Sequence, residues 1–164
     1  MNADAPRDGA NDQLLRTDHL TATCESPTLT RINSRGLSLT IDEPEERHGT
    51  NAALSPTETF MASLMGCVNV LVSNVARRRG VAIRVLNIDL EYDFDRRGTR
   101  AGMDIAVPFR EVRLKVEVES AASQAEIDAV QQDYNKACPV TRMIRSAGCP
   151  IVETWTVRRP SAAG

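Results

Sequence analysis

The feature that most constrains this chain is the segment from Ser55 to Gly80. It opens on Ser55-Pro56-Thr57-Glu58, a serine N-cap followed by proline at the first helical position and glutamate at the third, and it stops at a glycine. Between these signals, Phe60, Leu64, Cys67, Leu71 and Val75 recur at helical spacing and predict the core-facing stripe. Met61, Met65, Val68 and Val72 make the neighbouring faces apolar as well. A helix apolar on so many sides needs cover from more than one sheet, or from a second copy of the chain. Its longest apolar run, Phe60 to Val72, reads as a buried core helix and not a membrane span.

The rest of the chain supplies material for that cover. Runs at His19–Cys24, Thr28–Asn33 and Leu37–Ile41, separated by Ser26-Pro27 and Ser34-Arg35-Gly36, predict a β-meander. Val85–Phe94 and Glu111–Glu119 alternate as half-buried strands, the second with Val112, Leu114, Val116 and Val118 on one face. Ser123 opens a helix with the stripe Ile127, Val130, Tyr134 and Cys138; Pro139 starts a short further helix, and Pro150–Arg158 reads as a last strand. Strands, helix, strands, helices and strand in that order predict an α+β fold with antiparallel sheet. Residues 17–159 are expected to form a single domain, between a disordered tail over 1–16 and a frayed end over 160–164.

Composition narrows the function. A net charge of −2 gives no field to recruit nucleic acid or an anionic membrane, and 4% aromatic residues provide no stacking platform for single strands. The first residues carry neither a basic segment nor an apolar one, so a cytoplasmic location is expected. Four cysteines, Cys24, Cys67, Cys138 and Cys149, without a Cys-x-x-Cys pair and with His19 and His48 poorly spaced to join them, argue against a disulfide scaffold and against structural metal.

The cysteines are then either inert core thiols or functional ones. Free cysteine packs as a small hydrophobe, which is the plain expectation for Cys24 and Cys149. Cys67 and Cys138, however, both lie on apolar stripes that direct them at one core, which suggests a dithiol. A thiol reacts as its thiolate. Cys138 precedes a helix-starting proline, so its sulfur is placed to accept from free N–H groups there. Cys67, in mid-helix, gains little from that effect.

These segments carry a family resemblance. Ser55-Pro56-Thr57-Glu58-Thr59-Phe60 through Leu64-Met65-Gly66-Cys67 resembles the central-helix motif of the OsmC/Ohr proteins, the osmotically inducible and organic hydroperoxide resistance family. Phe109 to Val116 resembles the strand before that family's second helix, and Ala137-Cys138-Pro139-Val140-Thr141 its second cysteine motif. The likeness spans residues 19 to 158. It implies an OsmC-like fold, with antiparallel sheets wrapped around a long central helix in an intertwined homodimer; the several apolar faces of the Phe60–Val75 helix separately predict an obligate dimer burying about 2,000 Å² or more.

It further implies a cofactor-free, thiol-dependent peroxidase of the oxidative stress response. Cys67 would be the peroxidatic thiol and Cys138 the resolving one, organic hydroperoxides the substrates, and a small or protein-borne dithiol the reductant. The hydroperoxide-resistance branch places a glutamate directly after the proline of the helix-start motif, where this chain has Thr57, and an arginine where alignment of Thr21-Ala22-Thr23 puts Ser26. The OsmC-like branch has its acidic residue one place later, as Glu58 is here. Glu58 is therefore the candidate supporting carboxylate and Arg31 and Arg35 the candidate activating cations, with the Cys67 thiol expected near its free pKa of ~8.5. The alternative is a non-catalytic dimer of the same fold, binding a small apolar or thiol-bearing ligand in an interface pocket.

Overall fold

A computed structural model describes residues 14–160, and these divide after Thr59 into two compact units. The expected tail lies outside the described residues as far as residue 13, and the expected frayed end from residue 161 onwards.

The first unit holds an antiparallel meander, β1 (Thr21–Cys24), β2 (Thr30–Ser34) and β3 (Leu37–Ile41). Arg35 and Gly36 join β2 to β3 with φ of 54° and 77°. Positive φ at both central residues is the two-residue turn whose twist matches a hairpin, and it fixes the Ser34–Leu37 register. Between β1 and β2 the turn is made by Ser26, whose Oγ accepts the backbone N–H groups of Thr28 and Leu29 at 3.2 and 2.9 Å. After β3, buried Asp42 organises the loop: its Oδ2 accepts Thr50 N–H, Thr50 Oγ1–H and Ala52 N–H at 2.9, 2.6 and 3.1 Å. Those bonds, the Thr50 hydroxyl foremost, hold the Asp42 carboxyl well below the usual carboxylate range despite its burial. β1 is exposed along its whole length.

The long helix, α1 (Pro56–Arg79), runs from the first unit into the second. By length and composition alone it could cross a membrane. Met61, Leu64, Val68, Val72, Val75 and Ala76 are nevertheless buried in the second unit's core, where α1 serves as a core helix. This stripe differs from the expected one. Leu64 and Val75 are shared, but Phe60, Cys67 and Leu71 are only partly buried and pack at the edge of the core. A helix apolar on several faces leaves its rotation undetermined by periodicity, and the sheet it meets chooses the face. The outcome leaves Cys67 partly buried at the edge of the core instead of sealed within it.

That sheet is ordered β4 (Arg84–Phe94), β5 (Phe109–Glu119), β6 (Ile151–Arg158), with β5 in the centre. Val112, Leu114, Val116 and Val118 on β5 are each at most 1% exposed, as their alternation predicts. β4 and β5 are antiparallel, but β6 runs parallel to β5. The reason is the crossover between them, which carries α3 (Gln124–Ala137) and α4 (Pro139–Ser146) and returns the chain to the end at which β5 began. Ile127, Val130 and Tyr134 of α3 are buried. The excursion from Asp95 to Pro108 contains a short helix, α2 (Arg97–Ala101), and is closed at its base by Asp95 N–H to Pro108 C=O at 2.8 Å.

Candidate active site

α3 begins on a reciprocal cap. Ser123 Oγ accepts Glu126 N–H at 3.4 Å, and the Glu126 carboxylate accepts Ser123 N–H at 2.8 Å. Fourteen residues later the helix must stop, because Pro139 has no N–H to continue it. Cys138 is thus both the last cap of α3 and the N-cap of α4, with extended backbone (φ −74°, ψ 111°). Its N–H bonds Tyr134 C=O at 2.8 Å, its C=O accepts Arg142 N–H at 3.0 Å, and its sulfur accepts Thr141 N–H at 3.4 Å. The residue is fully buried.

At this corner the second thiol arrives from α1. Cys67 Sγ lies 2.9 Å from Cys138 Sγ, across 71 residues of chain, and both cysteines are free thiols. Little movement separates such a pair from the 2.05 Å of a disulfide bond. Burial foremost, and then the Cys138 sulfur hydrogen-bonded to it, push the Cys67 thiol up, while the Val140 backbone N–H pulls it down. The thiol is therefore raised, not near its free value as the sequence suggested, because the partner sulfur adds to partial burial. The opposing influence is the N-terminus of α4: Val140 and Thr141 supply N–H groups to the two sulfurs, at the end of the helix where negative charge is favoured.

The corner is held by a polar cluster that sequence reasoning missed. Glu153 on β6 is only 5% exposed in its side chain, and its carboxylate accepts Arg145 Nη2, Trp155 Nε1 and Gln131 Nε2 at 3.0, 3.0 and 3.2 Å. Arg145 also donates to Asn135 Oδ1 at 2.8 Å, so one carboxylate ties α3, α4 and β6 together. Trp155 packs on Tyr134 with ring centroids 5.9 Å apart. Burial foremost pushes the Tyr134 phenol far above its ordinary value. A signal for this cluster existed: Glu153 shares an inward strand face with Ile151, Trp155 and Val157, where an acid requires partners.

The other site residues expected from sequence have local partners. Glu58 caps α1, its Oε2 accepting both the N–H and the hydroxyl of Ser55 at 2.7 Å, and these bonds hold its carboxyl below its ordinary value. Arg31 pairs with Glu25 at 2.7 Å. Arg35 occupies the left-handed turn between β2 and β3. Ser26, at the family's arginine position, is the turn-former of the first hairpin. Cys67 and Cys138 are thus brought together, while Glu58 and Arg31 are engaged within the first unit.

An apolar cavity of about 230 Å³ opens beyond the far half of α4, lined among others by Phe60, Val107, Phe109, Met143, Ile144 and Cys149. Phe109 sits in an aromatic group with Phe60, Tyr92 and Phe94, at centroid distances of 5.6, 5.9 and 5.0 Å. Cys24, by contrast, is exposed at the end of β1. Among the described residues, no His, Cys, Asp and Glu side chains are grouped to hold a metal ion.

A fold of this order, with a thiol from the long helix meeting a thiol at the α3–α4 corner, defines an OsmC-type protein. The family model for OsmC-like protein matches residues 49–154, and the chain belongs to that family. The structure is similar to the OsmC-like protein of Mycoplasma pneumoniae, with a TM-score of 0.73 and 19% identity over 87% of this chain and 97% of that one. It is also similar to an organic hydroperoxide resistance protein OsmC from Legionella pneumophila, with a TM-score of 0.62 and 18% identity over 87% and 98% of the two chains. For the organic hydroperoxide resistance protein OhrB of Bacillus subtilis the TM-score is 0.57, with 14% identity over 86% and 98%. At these identities the likeness is one of fold. No curated protein matches the chain.

Proposed function

We propose that this protein is a thiol peroxidase that reduces organic hydroperoxides through a Cys67/Cys138 dithiol–disulfide cycle. The observation that carries the proposal is the 2.9 Å approach of the two sulfurs at the N-terminus of α4. The Cys67 thiolate attacks the outer oxygen of ROOH, the O–O bond breaks, and Cys67 becomes a sulfenic acid as ROH leaves. Cys138 then attacks the Cys67 sulfur, displacing its oxygen as water and leaving a disulfide. An external dithiol, small or protein-borne, returns both cysteines to thiols by exchange. No metal or organic cofactor enters these steps. Partly exposed Cys67 suits the role of attacking thiol, and buried Cys138 that of the resolving one. The apolar cavity beyond α4 suits the hydrocarbon body of such a substrate. The chain works as a homodimer in this reading, supported by the apolar exposure of Val70 on α1 and of Leu20, Leu37 and Leu39 in the first unit.

One equivalent of cumene hydroperoxide added to the reduced protein should produce a Cys67–Cys138 disulfide detectable by mass spectrometry of a non-reducing digest. Unmodified thiols after that treatment would defeat the reading.

A second reading is favoured by two observations, that the Cys67 thiol is pushed up and that Glu58 is spent on the α1 cap. The protein is then a non-catalytic dimeric module that binds a small apolar or thiol-bearing ligand. Tight binding of an apolar ligand with no thiol oxidation by any hydroperoxide would select it.

A further inference from the structure

Thr141 carries a hydroxyl that packing does not explain. The residue is 0% exposed, and its Oγ1 has no hydrogen-bond partner among the described residues. A buried hydroxyl left unpaired destabilises a fold, and valine offers the same shape without it. Threonine inside a helix commonly returns its hydroxyl to a carbonyl three or four residues back, a bond that Thr141 does not make. Local stability therefore gives no reason for a hydroxyl here.

Its position gives one. Thr141 is the third residue of α4, and its N–H donates to Cys138 Sγ at 3.4 Å. In a capping box the side chain at this third position reaches back to the N-cap residue, as that of Glu126 does to Ser123 on α3. On α4 the N-cap residue is Cys138 itself. Threonine divides between two χ1 rotamers in a helix, so the hydroxyl has a second direction open to it without backbone movement. Behind it stands another buried hydroxyl, that of Tyr134, also 0% exposed and without a hydrogen-bond partner among the described residues. Burial foremost, and then the Glu153 carboxylate, push the Tyr134 phenol up, while the Thr141 side chain pulls it down. The phenol thus adjoins both side chains and keeps its proton. Glu153 already accepts from Arg145, Trp155 and Gln131, which leaves that proton for Thr141.

We propose that Thr141 and Tyr134 form a donor chain for the Cys138 sulfur as it leaves the disulfide: the Thr141 hydroxyl turns to Cys138 Sγ, and the Tyr134 hydroxyl donates to Thr141 Oγ1. The inference rests on the redox reading above and adds the groups that receive the leaving sulfur. Cys138 is 0% exposed and Cys67 is only partly buried, so one thiolate of the reducing dithiol attacks Cys67 Sγ. The Cys67–Cys138 bond breaks, and its electron pair passes to Cys138. That anion accepts the Thr141 N–H and, after rotation, the Thr141 hydroxyl. The reductant's second thiol loses its proton to solvent and attacks the first sulfur in the mixed disulfide. Cys67 leaves as thiolate, and the reductant closes to its own disulfide. Both cysteines then take protons from solvent, so one dithiol is oxidised for each protein disulfide reduced.

The test starts from protein oxidised with diamide, so that no peroxidase step enters, and follows reopening by dithiothreitol at one pH. Thr141→Val should slow reopening about 10-fold, and Thr141→Ser, which keeps the hydroxyl, should stay within about 2-fold of wild type. Tyr134→Phe removes a donor one bond further off and should slow reopening about 3-fold. The urea midpoint of the oxidised protein separates this role from a structural one. It should be unchanged or raised in Thr141→Val, because in that state the hydroxyl has no acceptor to lose. Reopening at the wild-type rate in Thr141→Val or Tyr134→Phe would overturn the proposal while leaving the dithiol cycle standing. So would equal slowing in Thr141→Ser, or a lowered urea midpoint in oxidised Thr141→Val. Failure of diamide to form any Cys67–Cys138 disulfide would overturn the redox reading, and this inference with it.

Discussion

The dipeptide Cys-Pro occurs twice, at opposite ends of the same short helix, and the two sites are chemically opposed. Cys138-Pro139 opens α4, where Cys138 Sγ accepts an N–H at 3.4 Å and meets a second sulfur at 2.9 Å. Cys149-Pro150 follows its other end, past Gly148, whose φ of 85° reverses the chain there. Cys149 N–H bonds Ile144 C=O at 3.3 Å, and its sulfur donates to the Pro150 carbonyl at 3.7 Å. Burial foremost, and then Glu111, push the Cys149 thiol up, with no N–H group to oppose them. Both residues are buried, so burial does not distinguish them. Helix polarity does: donors gather at one end of α4 and acceptors at the other, and only the first end stabilises a sulfur anion.

The strongest way to break this comparison is to remove each thiol in turn and follow hydroperoxide consumption. Cys67→Ser should lower turnover by about 10³-fold or more. Cys138→Ser should allow a single round of oxidation that stops at the sulfenic acid. Cys149→Ser should keep full turnover. Loss of turnover in the Cys149 variant would place chemistry at the wrong end of α4.

A smaller effect is expected from the cluster that fixes α4. Glu153→Ala leaves the donors of Arg145, Gln131 and Trp155 without their acceptor. Arg145 is partly exposed and can recruit water, so urea denaturation should show a loss of about 2 kcal/mol. Peroxide-driven disulfide formation should slow as the corner loosens. An unchanged midpoint would mean that the corner is held by packing alone.

The two thiols also separate by their response to pH. A raised pKa leaves less thiolate at neutral pH, so alkylation of Cys67 by iodoacetamide should keep rising above pH ~8.5, the ordinary thiol value. Cys149, also raised but only 2% exposed, should lag behind at every pH. The sign for stability follows from the same shift. The folded state holds the Cys67 proton more tightly than the unfolded chain, so this contribution is complete below pH ~8.5 and is lost as pH rises through the folded value. Reduced wild type should therefore lose stability in alkali more steeply than Cys67→Ser; parallel curves would contradict the upward shift.

The smallest effect concerns how α3 delivers Cys138. Ser123→Ala removes the N-terminal cap at the far end of α3 and should cost about 1 kcal/mol, with the rate of disulfide formation unchanged. A matching loss in that rate would show that the far end of α3 governs the sulfur's position.

Much of this was legible in the chain itself. The caps at Ser55 and Ser123, the break at Pro139, the alternation of Val112 to Val118 and the turn at Arg35-Gly36 are local physics, and each element formed within a few residues of where its signals stand. The two cysteines could be singled out because helical spacing placed both toward apolar surroundings. The rotation of α1 could not be read, since Phe60 and Met61, or Cys67 and Val68, are equally apolar; contact with the sheet of β4, β5 and β6 selected Met61 and Val68 for the core and left Cys67 at its edge. The parallel course of β6 was hidden for a similar reason, because strand direction follows from where the α3–α4 crossover returns the chain. The sequence set Cys138 apart from Cys149 by the apolar stripe it ends, but did not carry the chemical reason for the difference. That distinction depends on the direction in which α4 lies between them and on which sulfur α1 brings across, and both are properties of the folded chain.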